Sequence, residues 1–395
     1  MEVRKGYKQT EVGVIPEDWE VKELDSFSDV SSGGTPNRSI ASYWNGNIPW
    51  ITTSQINFNT IHEANEFISE DGLNYSATKK YKAGTLLMAM YGQGKTRGKV
   101  AILGIDATIN QACAAISLNN CVLNEYIFCN LSARYNEIRG LSNSGSQENL
   151  NSDLIKRILI PLPTKSEQSA ISTAIIDADT FISSLEKLLE KKQAIKQGAM
   201  QELLRPKEGW MFDKVKNIAS ISNGAKNTQD KIDDGLYSFF VRSDKIERIN
   251  SYSFDGEAIL VAGDGVGTGK VVNYFNGKFD FHQRVYKISD FQNGVNGFYF
   301  YLYFKNNFYN RVMQMTAKSS VDSVRMEMIA EMNIYFPLIE EQILIATILS
   351  DMDAEIEGLE EKLSKYKMVK QGMMQELLTG RIRLSADFGR ISLNH

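Results

Sequence analysis

A 38-residue segment occurs twice in this chain of 395 residues, as EQSAISTAIIDADTFISSLEKLLEKKQAIKQGAMQELL from Glu167 to Leu204 and as EQILIATILSDMDAEIEGLEEKLSKYKMVKQGMMQELL from Glu341 to Leu378. The two copies align without a gap at about half identity. A repeat of this length makes the chain a tandem of two like units, each a globular part followed by a matching helix. A looser echo surrounds it. Trp19, Leu24, Phe27, Val30 and Gly33 parallel Trp210, Val215, Ile218, Ile221 and Gly224. Gly98-Lys99-Val100 parallels Gly269-Lys270-Val271, and Asn110-Gln111 parallels His282-Gln283.

In the first copy Ile171, Ile175, Ala178, Ile182, Leu185 and Leu189 alternate steps of four and three, which is an a/d seam of period 3.5. Ile345, Leu349, Met352, Ile356, Leu359 and Leu363 continue the same register in the second. Each copy predicts a helix of roughly 55–60 Å at 1.5 Å per residue. A globular domain stands between them, so the expected arrangement is an antiparallel coiled coil. Pro206 and Gly209 end the first helix, and Gly380 caps the second.

The parts between the helices read as β-rich, with strand-like runs at Gly84–Tyr91, Lys99–Leu103, Glu257–Ala262 and Phe298–Phe304 separated by Gly, Asn and Ser. The expected fold class is α+β: two β-rich domains separated by two long helices, related by a pseudo-twofold internal repeat. The expected boundaries are 1–164 and 206–337 for the domains, 165–205 and 338–380 for the helices, and a tail, 381–395, that returns to the N-terminal region.

Composition excludes several classes. With 43% hydrophobic and 23% charged residues the chain can build cores and is not disordered. The 44 Lys and Arg against 48 Asp and Glu leave a formal charge of -4, so nucleic-acid contact must rest on local patches. The charged start Met1–Lys8 and the lack of a long apolar run lead us to expect neither export nor a membrane anchor, hence a cytoplasmic protein. Cys113, Cys121 and Cys129 form no metal-ligand pattern and are expected as buried thiols. His62, His282 and His395 are scattered, giving little support to a His-based catalytic or metal site.

Two motifs mislead. Ala89-Met90-Tyr91-Gly92-Gln93-Gly94-Lys95-Thr96 meets a relaxed P-loop pattern, but Arg97–Leu103 reads as a turn and a strand where a P-loop needs a helix to aim its amides at phosphate. Gly263–Lys270 is glycine-rich without fitting GxGxxG. Asn/Asp-Pro-Pro-Tyr/Phe, the tetrapeptide of amino-methyltransferases, does not occur, and no catalytic centre or metal site is expected.

A glycine-rich hairpin carrying Gln93, Lys95, Arg97 and Lys99 suits a phosphate backbone, which small residues allow to approach closely. Arg38, Tyr43 and Gln55 interleave basic, aromatic and amide groups in the first unit, and Arg242, Lys245, Lys270, Gln283 and Arg284 do so in the second. These twelve residues are the expected DNA-contacting set. The seam residues Ile171, Ile175, Ile182, Leu185, Leu189, Leu349, Met352, Ile356, Leu359 and Leu363 are the expected helix-partner set.

The chain resembles the DNA-specificity subunit of type I restriction-modification systems. The likeness is carried by Tyr7–Trp19, Pro161-Leu162-Pro163 with Glu167-Gln168, Lys196-Gln197-Gly198, Gln201–Leu204, Glu341-Gln342, Lys370-Gln371-Gly372 and Gln375–Leu384. Gly145–Leu150 also matches the segment the family carries before its helix, with Ser319–Val324 as a looser version. The resemblance implies a non-catalytic subunit whose target-recognition domains each read half of a bipartite duplex site, with the helices as a ruler for the spacer. It further implies two docked modification subunits that hold S-adenosylmethionine and methylate adenine at N6, and room for a restriction subunit that translocates with ATP. The competing reading is a scaffold of two protein-binding domains on a coiled-coil spacer, without DNA.

Overall fold

The computed structural model describes residues 4–92, 95–141, 149–265, 268–315 and 323–384. The chain divides into two compact units, the first made of residues 1–185 and 362–395 and the second of 186–361. Gln93, the segments 145–148 and 319–322 of the motifs above, and the tail beyond 384 lie outside the described residues.

The first unit centres on a five-stranded sheet in the order Ser28–Ser32, Cys113–Leu118, Leu86–Ala89, Val100–Leu103, Asn59–Ile61. Its middle strand is buried on both faces. Leu86 and Met88 enter a core with Trp19, Leu24, Tyr126 and Ile160, while Leu87 and Ala89 enter a second with Ile51, Ile61 and Ile109. That period of two explains why the run is apolar without a break. A four-stranded sheet, Glu66–Ile68, Ile48–Ile51, Ala107–Ile109, Lys80–Tyr81, borders the second core.

The second unit centres on six strands in the order Ser220–Asn223, Val285–Ser289, Phe254–Ala262, Val272–Phe281, Tyr237–Phe240, Ile246–Ile249. Ile259 and Val261 face one core and Ala258 and Leu260 another. The run Phe298–Phe304, expected as a strand, is instead part of the helix Gly297–Met315. Its Tyr299, Phe300, Tyr303, Phe304, Phe308 and Val312 are buried at helical spacing, and the Asn296 side chain accepts the Tyr299 amide at 2.9 Å as a cap. The aromatic density of this run fits a strand as well as a helix, and the buried Phe308 and Val312 beyond Lys305 are what mark the helical period.

The long helices run Lys165–Leu203 and Ile339–Leu377. Their start is fixed the same way in each unit. Gln168 accepts the Leu123 amide and donates to the Pro163 carbonyl, both at 3.0 Å. Gln342 accepts the Asn296 amide at 2.8 Å and donates to the carbonyls of Gly294 and Pro337 at 2.9 Å. Both glutamines are buried, and each spends its amide on backbone groups around the helix start.

Within the first unit Asp179 pairs with Lys370 at 2.5 Å and Phe181 meets Tyr366 edge-on at 4.6 Å. Within the second, Lys192 pairs with Glu355 at 2.6 Å, and Lys196 with Asp353. Ile171, Ile175, Ile182, Leu185 and Leu349 are buried, whereas Leu189, Met352, Ile356, Leu359 and Leu363 are half-buried. Ile171 and Ile175 belong to the first unit's core and Leu349 to the second's, so part of each seam packs on a domain.

Of the cysteines, Cys113 and Cys129 are buried, and burial pushes both thiols up to about 12. Cys121, expected inside, is exposed: its backbone amide is held by Asn119 in a turn ahead of the helix Asn124–Ala133. Among the described residues no helix is long and apolar enough to cross a membrane.

Candidate nucleic-acid interface

Each unit contains the same junction of four chain segments. In the first, Gly33 donates to the Cys113 carbonyl at 3.2 Å, Met90 to Ala112 at 2.8 Å, Cys113 to Asn110 at 3.1 Å, and Leu150 to Met90 at 3.0 Å. In the second, Gly224 donates to Val285 at 3.4 Å, Gly263 to Arg284 at 2.8 Å, Val285 to His282 at 2.8 Å, and Val324 to Gly263 at 2.7 Å. These bonds equate Asn110-Gln111-Ala112-Cys113 with His282-Gln283-Arg284-Val285 and Met90 with Gly263. Glycine is required where the segments cross: a Cβ on Gly33 would stand 2.1 Å from the Ile109 oxygen, and one on Gly224 2.0 Å from the Phe281 oxygen.

The glycine-rich loops leave this junction, and neither leads into a P-loop helix. Lys95 and Thr96 are followed by a turn and the strand Val100–Leu103. In the first unit the Lys95 carbonyl accepts the Tyr135 hydroxyl at 2.6 Å, and Lys99 donates to Asn57 at 2.7 Å. Arg97 is only 7% exposed, so its side chain is packed inward between those two exposed and half-exposed lysines. Arg38 forms a separate cluster: its guanidinium lies 3.6 Å from the Trp44 ring centroid and 4.9 Å from that of Trp50, and pairs with Glu66, while the Tyr43 ring stacks on Tyr75 at 6.5 Å. Gln55 donates to the Glu63 carbonyl at 3.0 Å.

The second unit draws its candidates closer together. Asp264 pairs with Arg242 at 3.4 Å and Arg284 at 3.8 Å, and Gln283 donates to Asn227 at 2.6 Å. Lys270 sits 5.1 Å over the Tyr309 ring, and Lys245 pairs with Glu247 at 3.0 Å, outside the Asp264 group. A recess of about 370 Å³ opens here, lined by Asn223, Asp264, Gln283, Arg284, Ser323 and Arg325 among others. Asp264 and Arg325 escaped sequence reasoning. The only signal for Asp264 was a carboxylate inside Gly263-Asp264-Gly265, a loop selected for its glycines.

His282, buried beneath the recess, accepts the Arg284 amide on Nδ1 at 2.9 Å. Burial first, then Arg242 and Arg284, hold its proton affinity below that of an ordinary imidazole, against the opposing pull of Asp264 and Asp230. The imidazole is therefore a neutral structural acceptor. Among the described residues no group of three or more His, Cys, Asp or Glu side chains is placed to hold a metal ion.

A pair of further recesses, one in each unit, lies along the helices. In the first unit one of about 330 Å³ is lined by Gln371, Met374 and Gln375 with Val12, Asn130 and Arg134. In the second, one of about 400 Å³ is lined by Gln197, Met200 and Gln201 with Asn306 and Asp353. The three helix residues are the same in both copies of the repeat.

The sequence profile described as type I restriction modification DNA specificity domain matches residues 16–197 and again 207–365. The chain belongs to this family. Among specificity subunits it is 29% identical over 193 residues to that of the type I restriction enzyme MjaIX from Methanocaldococcus jannaschii, a match covering 47% of this chain and 44% of the relative. The chain thus spans under half of that relative's length. The MjaVIII specificity subunit of the same organism is 21% identical over 94% of both chains. In fold, this member of the specificity-domain family is similar to the S subunit of a type I restriction-modification system from M. genitalium, with TM-score 0.62, 13% identity and coverage of 95% of this chain and 98% of the other. It is also similar to a chain from a structure concerned with complex assembly and conformational transition of the type I R-M system, with TM-score 0.57, 13% identity and coverage of 93% and 99%.

Proposed function

We propose that this chain is the non-catalytic specificity subunit of a type I restriction-modification complex, with one target-recognition domain for each half of a bipartite DNA site. The observation that carries the reading is the junction found in each domain: one backbone framework, with exposed cations around a glycine-rich loop, and different side chains at equivalent positions. A shared framework suits the phosphate backbone common to all sequences, and differing side chains suit different bases. The domains are 1–164 and 206–337, joined by helices 165–205 and 338–380 that form an antiparallel coiled coil with pseudo-twofold symmetry and set the spacer. The expected return of the tail, 381–395, to the N-terminal region is supported by Arg383, which donates to Asp18 at 2.9 Å, while residues beyond 384 lie outside the described ones.

The two helix recesses with identical Gln-Met-Gln linings support docking of two copies of one partner, the modification subunit. That partner holds S-adenosylmethionine and methylates adenine at N6 in each half-site; this chain itself holds no cofactor. A restriction subunit can join the assembly, which works in the cytoplasm.

The test is methylation mapping of DNA from a host expressing the modification subunit with and without this chain. A split motif carrying N6-methyladenine in both halves, present only with the chain, is the expected result. Unchanged methylation with the partner active and assembled leaves the DNA-free scaffold instead.

A further inference from the structure

We propose that Asp264 is a positioning residue that presents Arg242 and Arg284 as base-reading guanidinium groups, and that Arg284 contacts a guanine in the half-site of the second domain. The inference rests on the function proposed above and assigns its chemistry to one recess.

A carboxylate on a surface that meets phosphates is repelled by them, so its presence there needs a compensating role. Asp264 is flanked by Arg242 on one carboxylate oxygen, at 3.4 Å, and by Arg284 on the other, at 3.8 Å. The contact to Arg284 is through Nε, which leaves the two terminal nitrogens, the fork that matches guanine N7 and O6, without a partner among the described residues. The Arg284 side chain is 67% exposed while that of Asp264 is 26% exposed, so the acid sits behind and the guanidinium in front.

The root of Arg284 is fixed as well. Its amide donates to His282 Nδ1 at 2.9 Å and its carbonyl accepts from Gly263 at 2.8 Å. A side chain rooted by two backbone bonds and drawn at its inner nitrogen toward Asp264, 3.8 Å away, gives up less freedom on meeting a base than one without a neighbouring carboxylate, which favours a discriminating contact. The first domain makes the same backbone bond from Met90 to the carbonyl of Ala112, with a methyl group where the second domain has the guanidinium. The two domains therefore share the frame at this point and differ in the reader.

The experiment maps the methylated motif made by the full chain with its modification subunits, for the wild type and for Arg284→Ala, Arg284→Lys and Asp264→Asn. Lys keeps the stem and charge but has no fork, so it reports on base reading if the Ala variant fails to accumulate. The expected result is that both Arg284 variants relax one guanine position in one half-site, by about ten- to a hundredfold in discrimination, while the other half-site is unchanged. Asp264→Asn relaxes the same position by a smaller factor. A bipartite wild-type motif that stays identical in Arg284→Lys, or that loses methylation equally at every position, overturns the assignment alone. A wild type that produces no split motif overturns it together with the proposed function.

Discussion

The guanidinium of Arg383 closes on the carboxylate of Glu167, 216 residues earlier, through two hydrogen bonds of 2.6 and 2.8 Å. The same arginine donates to both carboxylate oxygens of Asp18 at 2.9 and 2.8 Å, and Glu167 also accepts the Trp19 indole N–H at 3.2 Å. Glu167 is 5% exposed, so these donors replace the water its carboxylate has lost, and the Glu167 and Asp18 carboxylates in turn raise the guanidinium's proton affinity.

Replacing Arg383 with Ala is expected to leave that carboxylate buried and poorly compensated, at a cost of about 2–3 kcal/mol to the first unit. Chemical denaturation of the full chain measures it. Arg383→Ala combined with Glu167→Gln should recover part of the loss, and a single variant within about 0.5 kcal/mol of wild type would show that the fork contributes little.

Gln342→Leu removes the acceptor for the Asn296 amide at the start of the helix Gly297–Met315. The part-buried N–H then loses its partner, which costs about 1 kcal/mol. Gln168→Leu should produce a similar loss in the first unit, where it accepts the Leu123 amide. Equal stability of either variant to wild type contradicts the clamp.

Protonation of His282 is opposed by burial and by Arg242 and Arg284. The unfolded chain therefore binds more protons than the folded one once pH falls below the ordinary imidazole value of 6.5, and stability declines as pH drops through that point toward the lowered folded value. Above it the group contributes no slope. His282→Asn, which installs the residue found at the equivalent Asn110, should flatten this dependence between about pH 7.5 and 5.5. Identical pH profiles for variant and wild type in thermal denaturation count against the assignment.

Gly198 and Gly372 occupy the same place in the two helix copies, and a Cβ at either meets nothing within 4 Å. A helix-interior glycine costs roughly 0.5–1 kcal/mol relative to alanine. Gly198→Ala and Gly372→Ala should each stabilise the isolated chain by about that amount and weaken its assembly with the modification subunit, measured by co-purification. Stabilisation with undiminished assembly would mean that no partner approaches the backbone there.

How far the sequence could be read depended on range. The buried face of the first long helix was visible because Ile171, Ile175, Ile182 and Leu185 announce their period locally, although Ile171 and Ile175 pack in the core of the first unit. Phe298–Phe304 was misread because seven residues of aromatic density cannot separate a period of 2 from one of 3.6. Arg97 looked like its neighbours Lys95 and Lys99, yet its direction is set by packing of the hairpin, which no local pattern encodes. Asp264 acquires its partners only when segments near 242, 264 and 284 converge, so its place was legible only in three dimensions.

The split composition of the first unit carries a consequence for synthesis. Its core includes Leu377 and Leu378, and its Glu167 waits for Arg383, whereas the second unit is one uninterrupted stretch, 186–361. During translation the later unit can finish folding while the earlier one is still open, with Ile15, Ile171 and Ile175 lacking part of their cover. The order of completion is thus the reverse of the order of emergence from the ribosome. A chain interrupted before residue 377 would present an intact second domain beside an unsealed first one, a product suited to recognition by chaperones and proteases.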